Sequence, residues 1–449
     1  MRQTARTIVS LAAAVVLLGS VGRVESGSGS STHYQYLPTV VRRRSQPRPC
    51  LPRYGEREFL LQVNETSAFY EAFPVAADLN GDGLEDVVIQ RTKYLTYETF
   101  PLDILLNDGK GGMTLATSTM LSGPVPVVQN PTTVLVADFN VDGRADIYVA
   151  DHGYDLPPFP GYQNVLVLST PEGELVDATA NLPQQMDFTH SAAAADVDGD
   201  GDIDLFNGNY NSPANIDPQI LVNDGGRFTI GGTRLPPLLD LDLNHYSSCE
   251  FCDVDNDGDP DLVLGAGEED GSTILRNDGS GVFTALEGSM PAKESIADIA
   301  HDIEVLDING DGFADLFMEH LRPNDTSYIQ VLVNDGNGTF RDETASRLEA
   351  FDRPVSTPEL ELRDFDRDGD LDLIAMPWDA ESPDPLLFLN DGHGVFHRQA
   401  FDFGLQGGDL YLTFLDLEGD GGHDVLLTLN FPPDRVFVHR DLGCAASTP

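Results

Sequence analysis

The chain has few basic residues. Of its 449 residues only 26 are Lys or Arg, against 74 Asp and Glu, so the formal net charge is −48. A protein this anionic is repelled by the phosphates of nucleic acids and by anionic lipid headgroups. We therefore expect no nucleic acid among its partners.

Tryptophan and cysteine are scarce too, with one Trp and four Cys. A large net charge is typical of disordered chains, but such chains also lack hydrophobic residues. Here hydrophobic residues make up 41% of the chain, and 23 Phe and 13 Tyr can build a core. The 43 Gly and 29 Pro are spread along the chain and indicate many tight turns. The composition predicts a folded, turn-rich, all-β protein.

Long apolar runs are missing except near the N-terminus, where residues 8–21 follow Arg2 and Arg6. This run is short for a membrane span and has the layout of a secretory signal peptide. We assign residues 1–26 to a signal peptide cleaved after Gly22 or Ser26, with an uncleaved anchor as the alternative. Residues 27–50, rich in Ser, Gly, Pro and Arg, are expected to form a flexible leader. The mature protein would then be secreted, extracellular or periplasmic, without a transmembrane segment.

One acidic motif occurs seven times after residue 70, at intervals of 52 to 60 residues. A regular period of this length is typical of a solenoid or a propeller, in which each repeat is one supersecondary unit. The apolar runs on either side of each motif are only four or five residues long and rich in β-formers, which is too short for the helices of an EF-hand. The motif is therefore predicted to join two strands of a hairpin.

A second hairpin signal follows in five repeats, where a strand ends in Asn-Asp-Gly. These strands are residues 104–109, 220–225, 274–279, 331–336 and 387–392, and Phe228, Phe283, Phe340 and Phe396 follow the last four. Each repeat thus has four strands. Seven four-stranded antiparallel sheets predict a seven-bladed β-propeller over residues 51–444, followed by a tail at 445–449.

The last repeat stops after its third strand, at residues 436–439. The segment 57–63 resembles the missing fourth strand if Phe59 is aligned with Phe340. We therefore predict that the N-terminal strand completes the last blade and closes the ring in a three-plus-one arrangement.

The four cysteines are expected to differ in state. Cys50 and Cys444 flank the two free chain ends of the last blade, and an oxidising compartment permits a disulfide between them. Cys249 and Cys252 are three residues apart in one predicted strand, where their side chains point to opposite faces. We predict a Cys50–Cys444 disulfide and two buried thiols.

Every motif has oxygen-bearing side chains at positions 1, 3, 5 and 9. Hard oxygen donors at alternating positions suit Ca²⁺, which takes about six to eight oxygen ligands. The alternative, seven solvated acidic turns, would leave several carboxylates repelling one another. Position 6 is always Gly, as expected where a tight loop needs a positive φ. We predict up to seven structural Ca²⁺ ions. The candidate ligands are, at position 1, Asp78, Asp138, Asp196, Asp253, Asp307, Asp364 and Asp416; at position 3, Asn80, Asn140, Asp198, Asp255, Asn309, Asp366 and Glu418; at position 5, Asp82, Asp142, Asp200, Asp257, Asp311, Asp368 and Asp420; and at position 9, Asp86, Asp146, Asp204, Asp261, Asp315, Asp372 and Asp424.

These repeats resemble the FG-GAP / VCBS family, the calcium-loop repeats of integrin α-subunit heads and of many exported bacterial proteins. The resemblance covers about residues 57–440 and implies a seven-bladed propeller with Ca²⁺ in the blade hairpins. Seven intact loops look more like the bacterial members than like integrins. The family includes adhesion modules and a minority of enzymes such as polysaccharide lyases, so the resemblance does not fix a function.

Irregular loops are predicted on the propeller face opposite the acidic loops, where a rigid scaffold usually presents its binding residues. Six aromatic residues in these loops are candidates for stacking on a sugar or contacting a protein. They are Tyr94, Tyr97, Tyr154, Tyr162, Tyr210 and Trp378. His190 and His301 each stand six residues before a position-1 Asp, and we interpret them as structural rather than catalytic.

The sequence contains no nucleophile elbow, zinc motif or phosphate-binding Gly-rich loop. We therefore predict no catalytic residue and no organic cofactor. The expected function is a monomeric, non-catalytic binding or adhesion module for an extracellular protein or glycan. The alternative is a carbohydrate-active enzyme, similar to a polysaccharide lyase, on the same propeller.

Overall fold

The computed structural model describes residues 51–64, 71–93, 96–209, 216–236, 246–267, 271–324, 326–350, 359–376, 385–405, 411–429 and 434–443. Within these ranges the chain is almost entirely β-strand and turn. Its strands are, in chain order, β1 (Glu58–Asn64), β2 (Glu71–Ala77), β3 (Asp86–Thr92), β4 (Phe100–Pro101), β5 (Asp103–Asn107), β6 (Met113–Leu115), β7 (Leu121–Ser122), β8 (Val127–Val128), β9 (Pro131–Ala137), β10 (Asp146–Asp151), β11 (Val165–Ser169), β12 (Leu175–Asp177), β13 (Thr189–Ala195), β14 (Asp204–Asn209), β15 (Gln219–Val222), β16 (Thr229–Ile230), β17 (Tyr246–Cys252), β18 (Asp261–Ala266), β19 (Thr273–Asn277), β20 (Phe283–Ala285), β21 (Ile299–Leu306), β22 (Asp315–Leu321), β23 (Ser327–Asn334), β24 (Phe340–Asp342), β25 (Glu359–Arg363), β26 (Asp372–Met376), β27 (Leu386–Asn390), β28 (Phe396–Gln399), β29 (Tyr411–Leu415), β30 (Asp424–Leu429) and β31 (Asp434–His439). The helices are short: α1 (Thr117–Met120), α2 (Thr344–Arg347) and a 3₁₀ turn at Thr179–Asn181.

The strands form seven blades, which confirms the predicted seven-bladed propeller. The strand orders are β2-β3-β5-β6, β9-β10-β11-β12, β13-β14-β15-β16, β17-β18-β19-β20, β21-β22-β23-β24, β25-β26-β27-β28 and β29-β30-β31-β1. In the second blade β7 adds a parallel fifth strand beside β12, and β4 pairs separately with β8. The first strands of neighbouring blades contact one another, for example β13 with β17 and β17 with β21.

Each blade buries both of its faces against its neighbours. In β3, Val87 and Ile89 pack in one apolar cluster with Val436 of the last blade. Val88, between them, packs in another cluster with Val134 of the second blade. Side chains alternate between the two faces of a strand, so a strand covered on both faces is apolar along its whole length. This is why the middle strands appear in the sequence as short continuous hydrophobic runs.

The fourth strand of the last blade comes from the other end of the chain, because β1 pairs antiparallel with β31. The alignment of Phe59 with Phe340 is wrong. Phe340 lies opposite Asn334, whereas Phe59 lies opposite Phe437 in mid-strand and is 56% exposed. Tyr54 instead occupies the place of Phe340. It lies opposite Asp441, whose backbone N–H donates to the position-9 aspartate of its blade as that of Asn334 does. The sequence offered two aromatic residues, Tyr54 and Phe59, in the N-terminal segment that runs along the last blade. An aromatic residue alone therefore did not determine the register.

The two described cysteines are free and buried, as predicted. Cys249 lies in the apolar cluster between the third and fourth blades, and Cys252 lies in the cluster between the fourth and fifth. Burial raises the pKa of both thiols well above the ordinary value. Cys50 and Cys444 lie outside the described residues.

Candidate metal loops and the opposite face

The first two strands of each blade are joined by an acidic loop that winds around its own first carboxylate. In the first loop, Asp78 accepts backbone N–H bonds from Gly81 at 2.8 Å, from Asp82 at 3.2 Å and from Gly83 at 2.9 Å. Gly83 has a φ of 86°, and its counterparts in all seven loops also have positive φ. The prediction for position 6 is therefore confirmed, because only glycine enters this region without a steric penalty.

The position-9 aspartates are buried and fasten each loop to its own blade. Asp261 accepts the backbone N–H of Val254 at 3.1 Å on one oxygen and that of Asn277 at 2.8 Å on the other. Burial raises its pKa to about 7, and the pKa of Asp372, its counterpart in the sixth blade, to about 8. Each of the seven is at most 1% exposed. A nearby cation would favour the charged form of such a buried carboxylate.

Three loops bring carboxylate oxygens close enough to hold one metal ion, with ligand atoms within 4.8 Å of one another. They are the third, fourth and sixth, with positions 1, 3 and 9 forming each group. The groups are Asp196, Asp198 and Asp204; Asp253, Asp255 and Asp261; and Asp364, Asp366 and Asp372. The position-5 aspartates do not belong to these groups.

Each of these three loops also has a buried carboxylate oxygen without a hydrogen-bond partner. These atoms are Oδ1 of Asp198, Oδ1 of Asp255 and Oδ1 of Asp364. A buried, unsatisfied charged oxygen is costly unless a cation or a donor is supplied. Clustered hard oxygens with one orphaned atom in each group fit a Ca²⁺ ion.

The other four loops differ at position 3. Asn80, in the first loop, accepts the backbone N–H of Asp82 at 2.8 Å and donates to the side chain of Asp82 at 3.1 Å. Asn140 and Asn309 accept the equivalent backbone bonds in their loops. In the seventh loop Glu418 pairs with Arg440. The structure thus distinguishes loops that the sequence pattern treated as equivalent.

In four of the five copies the asparagine of Asn-Asp-Gly links neighbouring blades, a role that sequence reasoning missed. Asn277 donates from Nδ2 to the carbonyl oxygen of Val197 in the preceding blade and to that of Pro260 in its own blade, at 2.8 and 3.1 Å. Its Oδ1 accepts the N–H groups of Gly279 and Gly281. The available signal was that the residue is Asn in all five copies, although a turn alone would also accept Asp or Gly. The equivalent bonds to the preceding blade are Asn107 to Asp416, Asn223 to Phe139 and Asn334 to Val254.

On the opposite face the structure brings two of the six predicted aromatic residues together. Tyr97 and Tyr154, from loops of the first and second blades, stack with ring centroids 4.2 Å apart and planes inclined by 21°. Tyr97 is 62% exposed. Tyr162 lies further along the second loop, where its backbone pairs with Asp187. Tyr94, Tyr210 and Trp378 lie outside the described residues.

The loop that holds Tyr154 is anchored by a buried aspartate. Asp151 accepts the backbone N–H groups of Gln129, Asn130 and Gly153 at 2.6 to 2.9 Å. Gly161, at φ 73°, closes the loop so tightly that a Cβ there would lie 2.4 Å from the carbonyl oxygen of Asp187. These contacts anchor both ends of the loop that holds Tyr154.

The predicted histidines are part of the packed structure. His190 stacks on His152, with centroids 5.5 Å apart and planes inclined by 10°, and His152 also packs on Phe188. Burial lowers the pKa of His152 to about 4, so this imidazole is neutral near pH 7. His301, in β21 two blades further on, is 8% exposed. The sequence pattern had not singled out His152.

None of the helices in the described part of the chain has the length and apolar composition needed to cross a membrane.

Comparisons with known proteins agree with this architecture. Residues 78–149 and 253–318 match the profile of the FG-GAP-like repeat family. No curated protein sequence matches the chain.

Several solved structures are similar at low sequence identity. An Agrocybe aegerita lectin that recognises non-reducing terminal N-acetylglucosamine has 18% identity, a TM-score of 0.46 and coverage of 74% of this chain and 82% of its own. A mutant of AofleA from Arthrobotrys oligospora has 12% identity, a TM-score of 0.43 and coverage of 77% and 91%. The V. cholerae biofilm matrix protein Bap1 has 10% identity, a TM-score of 0.41 and coverage of 88% and 91%. Likeness at this level says nothing about the ligand of this chain. Residues 78–149 and 253–318 are therefore FG-GAP-like repeats, and they lie within the seven-bladed β-propeller.

Proposed function

We propose that this chain is an exported, non-catalytic binding module whose propeller is stabilised by Ca²⁺ on one face and binds an extracellular protein or glycan on the other. The observation that carries the proposal is the stacked pair Tyr97–Tyr154, in which the loop that holds Tyr154 is anchored by Asp151. An exposed aromatic surface that is ordered before binding loses little conformational entropy when a ligand arrives.

The acidic loops supply the rigidity. When bound, Ca²⁺ would neutralise the clustered carboxylates of the third, fourth and sixth loops, with Asp198, Asp255 and Asp364 contributing their unpartnered oxygens. In the fourth blade, Asp261 and Asn277 then connect the loop to its own blade and to the preceding one. An ion bound in one loop therefore stabilises the contact between two blades.

The binding face has aromatic chemistry. Tyr97 is largely exposed to solvent, and its ring stacks on the ring of Tyr154. Such a surface stacks on the apolar face of a sugar or packs into a protein hot spot. The net charge of −48 disfavours anionic polysaccharides, because they would be repelled at low salt. Neutral glycans and basic or neutral protein surfaces are the partners that fit.

The test is a screen on glycan and protein arrays with the intact exported protein, followed by the double variant Tyr97→Ala/Tyr154→Ala. We expect at least about a tenfold loss of affinity for the captured partner, which is the effect of removing an aromatic hot spot. Phe59→Ala, which removes an exposed aromatic side chain from the last blade, is the matched control and should bind normally. Unchanged binding by the double variant would place the site elsewhere. Unsaturated products from a polysaccharide panel would favour the lyase alternative instead.

A further inference from the structure

The fourth blade has one residue that departs from the repeat. The position just before the asparagine of Asn-Asp-Gly is apolar in four of the five copies, with Leu106, Val222, Val333 and Leu389. In the fourth blade it is Arg276, the penultimate residue of β19. An arginine at a position that is otherwise apolar indicates an interaction with nearby acidic groups.

The guanidinium of Arg276 lies on the acidic loop of its own blade. Its Nη2 is 3.0 Å from Oδ2 of Asp257, at position 5, and also pairs with Oδ2 of Asp255, at position 3. One positive group therefore bridges two of the predicted metal ligands. The other oxygen of Asp255, Oδ1, is buried and has no hydrogen-bond partner.

Such a bridge stabilises the loop when no metal is present. Asp253, Asp255 and Asp261 have ligand oxygens within 4.8 Å of one another, and like charges at this separation repel. The guanidinium offsets part of this repulsion. Calcium offsets the same repulsion more strongly, so the benefit of the arginine is largest in the calcium-free loop, and its charge opposes that of the incoming ion.

We propose that Arg276 is the resident cation of the fourth loop and weakens the affinity of this loop for Ca²⁺. This inference rests on the proposed calcium binding and adds that the fourth loop releases its ion before the sixth. In the third loop Arg234 pairs with Asp198 at 2.9 Å, but this arginine contacts one candidate ligand, whereas Arg276 contacts two. A group that stabilises the metal-free form more than the metal-bound form lowers the apparent affinity by linkage. The sixth loop, where no arginine is paired with Asp364, Asp366 or Asp372 among the described contacts, is the natural comparison.

The experiment uses Arg276→Leu, which installs the side chain found at Leu106 and Leu389, and Arg276→Gln as a second variant. Arg341→Leu is the matched control, because Arg341 is an exposed arginine whose ion pair with Glu343 lies outside the acidic loops. Melting temperatures are measured in EGTA and across a calcium series, and calcium binding by isothermal titration.

We expect both Arg276 variants to melt below the wild type in EGTA and to match it at saturating calcium. Their calcium midpoint should fall about two- to fivefold, as expected when one exposed ion pair is lost. Asp253→Asn in each background should abolish the difference, since it removes the site. Arg341→Leu should change nothing.

Three results would overturn the proposal. Equal midpoints would show that Arg276 is not coupled to the ion. Weaker calcium binding by the variants would show that it orders the ligands instead of competing. If calcium stabilised neither wild type nor variants, calcium binding itself would fail, and the inference with it, which is distinguishable from the first two results.

Discussion

The side-chain amide of Asn277 donates a 2.8 Å hydrogen bond to the backbone carbonyl oxygen of Val197, which is 80 residues earlier and one blade away. Val197 is at position 2 of the third acidic loop, directly after Asp196. Asn277 is only 2% exposed, so this hydrogen bond is shielded from solvent. The acidic loop of one blade and the turn of the next are therefore one structural unit.

We predict that Asn277→Ala destabilises the propeller by about 2–4 kcal/mol, because it leaves the carbonyl oxygens of Val197 and Pro260 without their donor. Denaturant unfolding gives the free energy. Asn337→Ala is the control, since Asn337 lies in the equivalent turn of the next blade but is exposed and bonds only within that turn. Similar losses for both variants would mean that the turn matters and the link between blades does not.

Removal of calcium should lower the melting temperature. Excess EGTA would leave the carboxylates of the third, fourth and sixth loops to repel one another. Asp364→Asn should lower the melting temperature even at saturating calcium, because it removes a ligand of the sixth loop. The decrease should be partial, because the clusters of the third and fourth loops remain. A melting curve unaffected by EGTA, after exhaustive dialysis against chelator, would contradict the proposed role of the ion.

Stability should fall as pH rises above neutrality. Burial, together with the charge of Asp302, raises the pKa of Glu250 to about 8, from an ordinary value of 4.5. Burial also raises the pKa of Glu359 to about 8, and it raises the pKa values of Glu304 and Glu361. A raised carboxyl pKa contributes stability that is complete below the ordinary value and is lost as pH rises through the folded value.

Glu250→Gln mimics the protonated acid, so its loss of melting temperature between pH 6 and pH 9, a range of about 3 units around the raised pKa, should be smaller than that of the wild type. Glu172→Gln, an exposed position, is the control and should follow the wild type. An identical pH profile for Glu250→Gln would show that Glu250 does not ionise in this range.

The disulfide between Cys50 and Cys444 stays a prediction. The pairing of the chain ends continues past β1 and β31, since Gly55 donates to Arg440 and Leu442 donates to Arg53. A disulfide closing so long a loop would add on the order of 5 kcal/mol in the chain-entropy model. Intact-mass analysis after alkylation without reductant should show both thiols blocked, and alkylation at either one in the folded protein would refute the disulfide.

The sequence by itself determined the number of blades, the strand pairing within them and the acidic loops. Period, turn chemistry and short apolar runs are local properties. The positive φ of Gly83 and the turns at Asn-Asp-Gly depend only on neighbouring residues in the chain. The tertiary structure decided which acids cluster, that Asn277 reaches the preceding blade, that Tyr54 rather than Phe59 stands opposite Asp441, and that Tyr97 stacks on Tyr154. These contacts join residues far apart in the chain, and their geometry follows from how the blades pack around the ring, which no local pattern records.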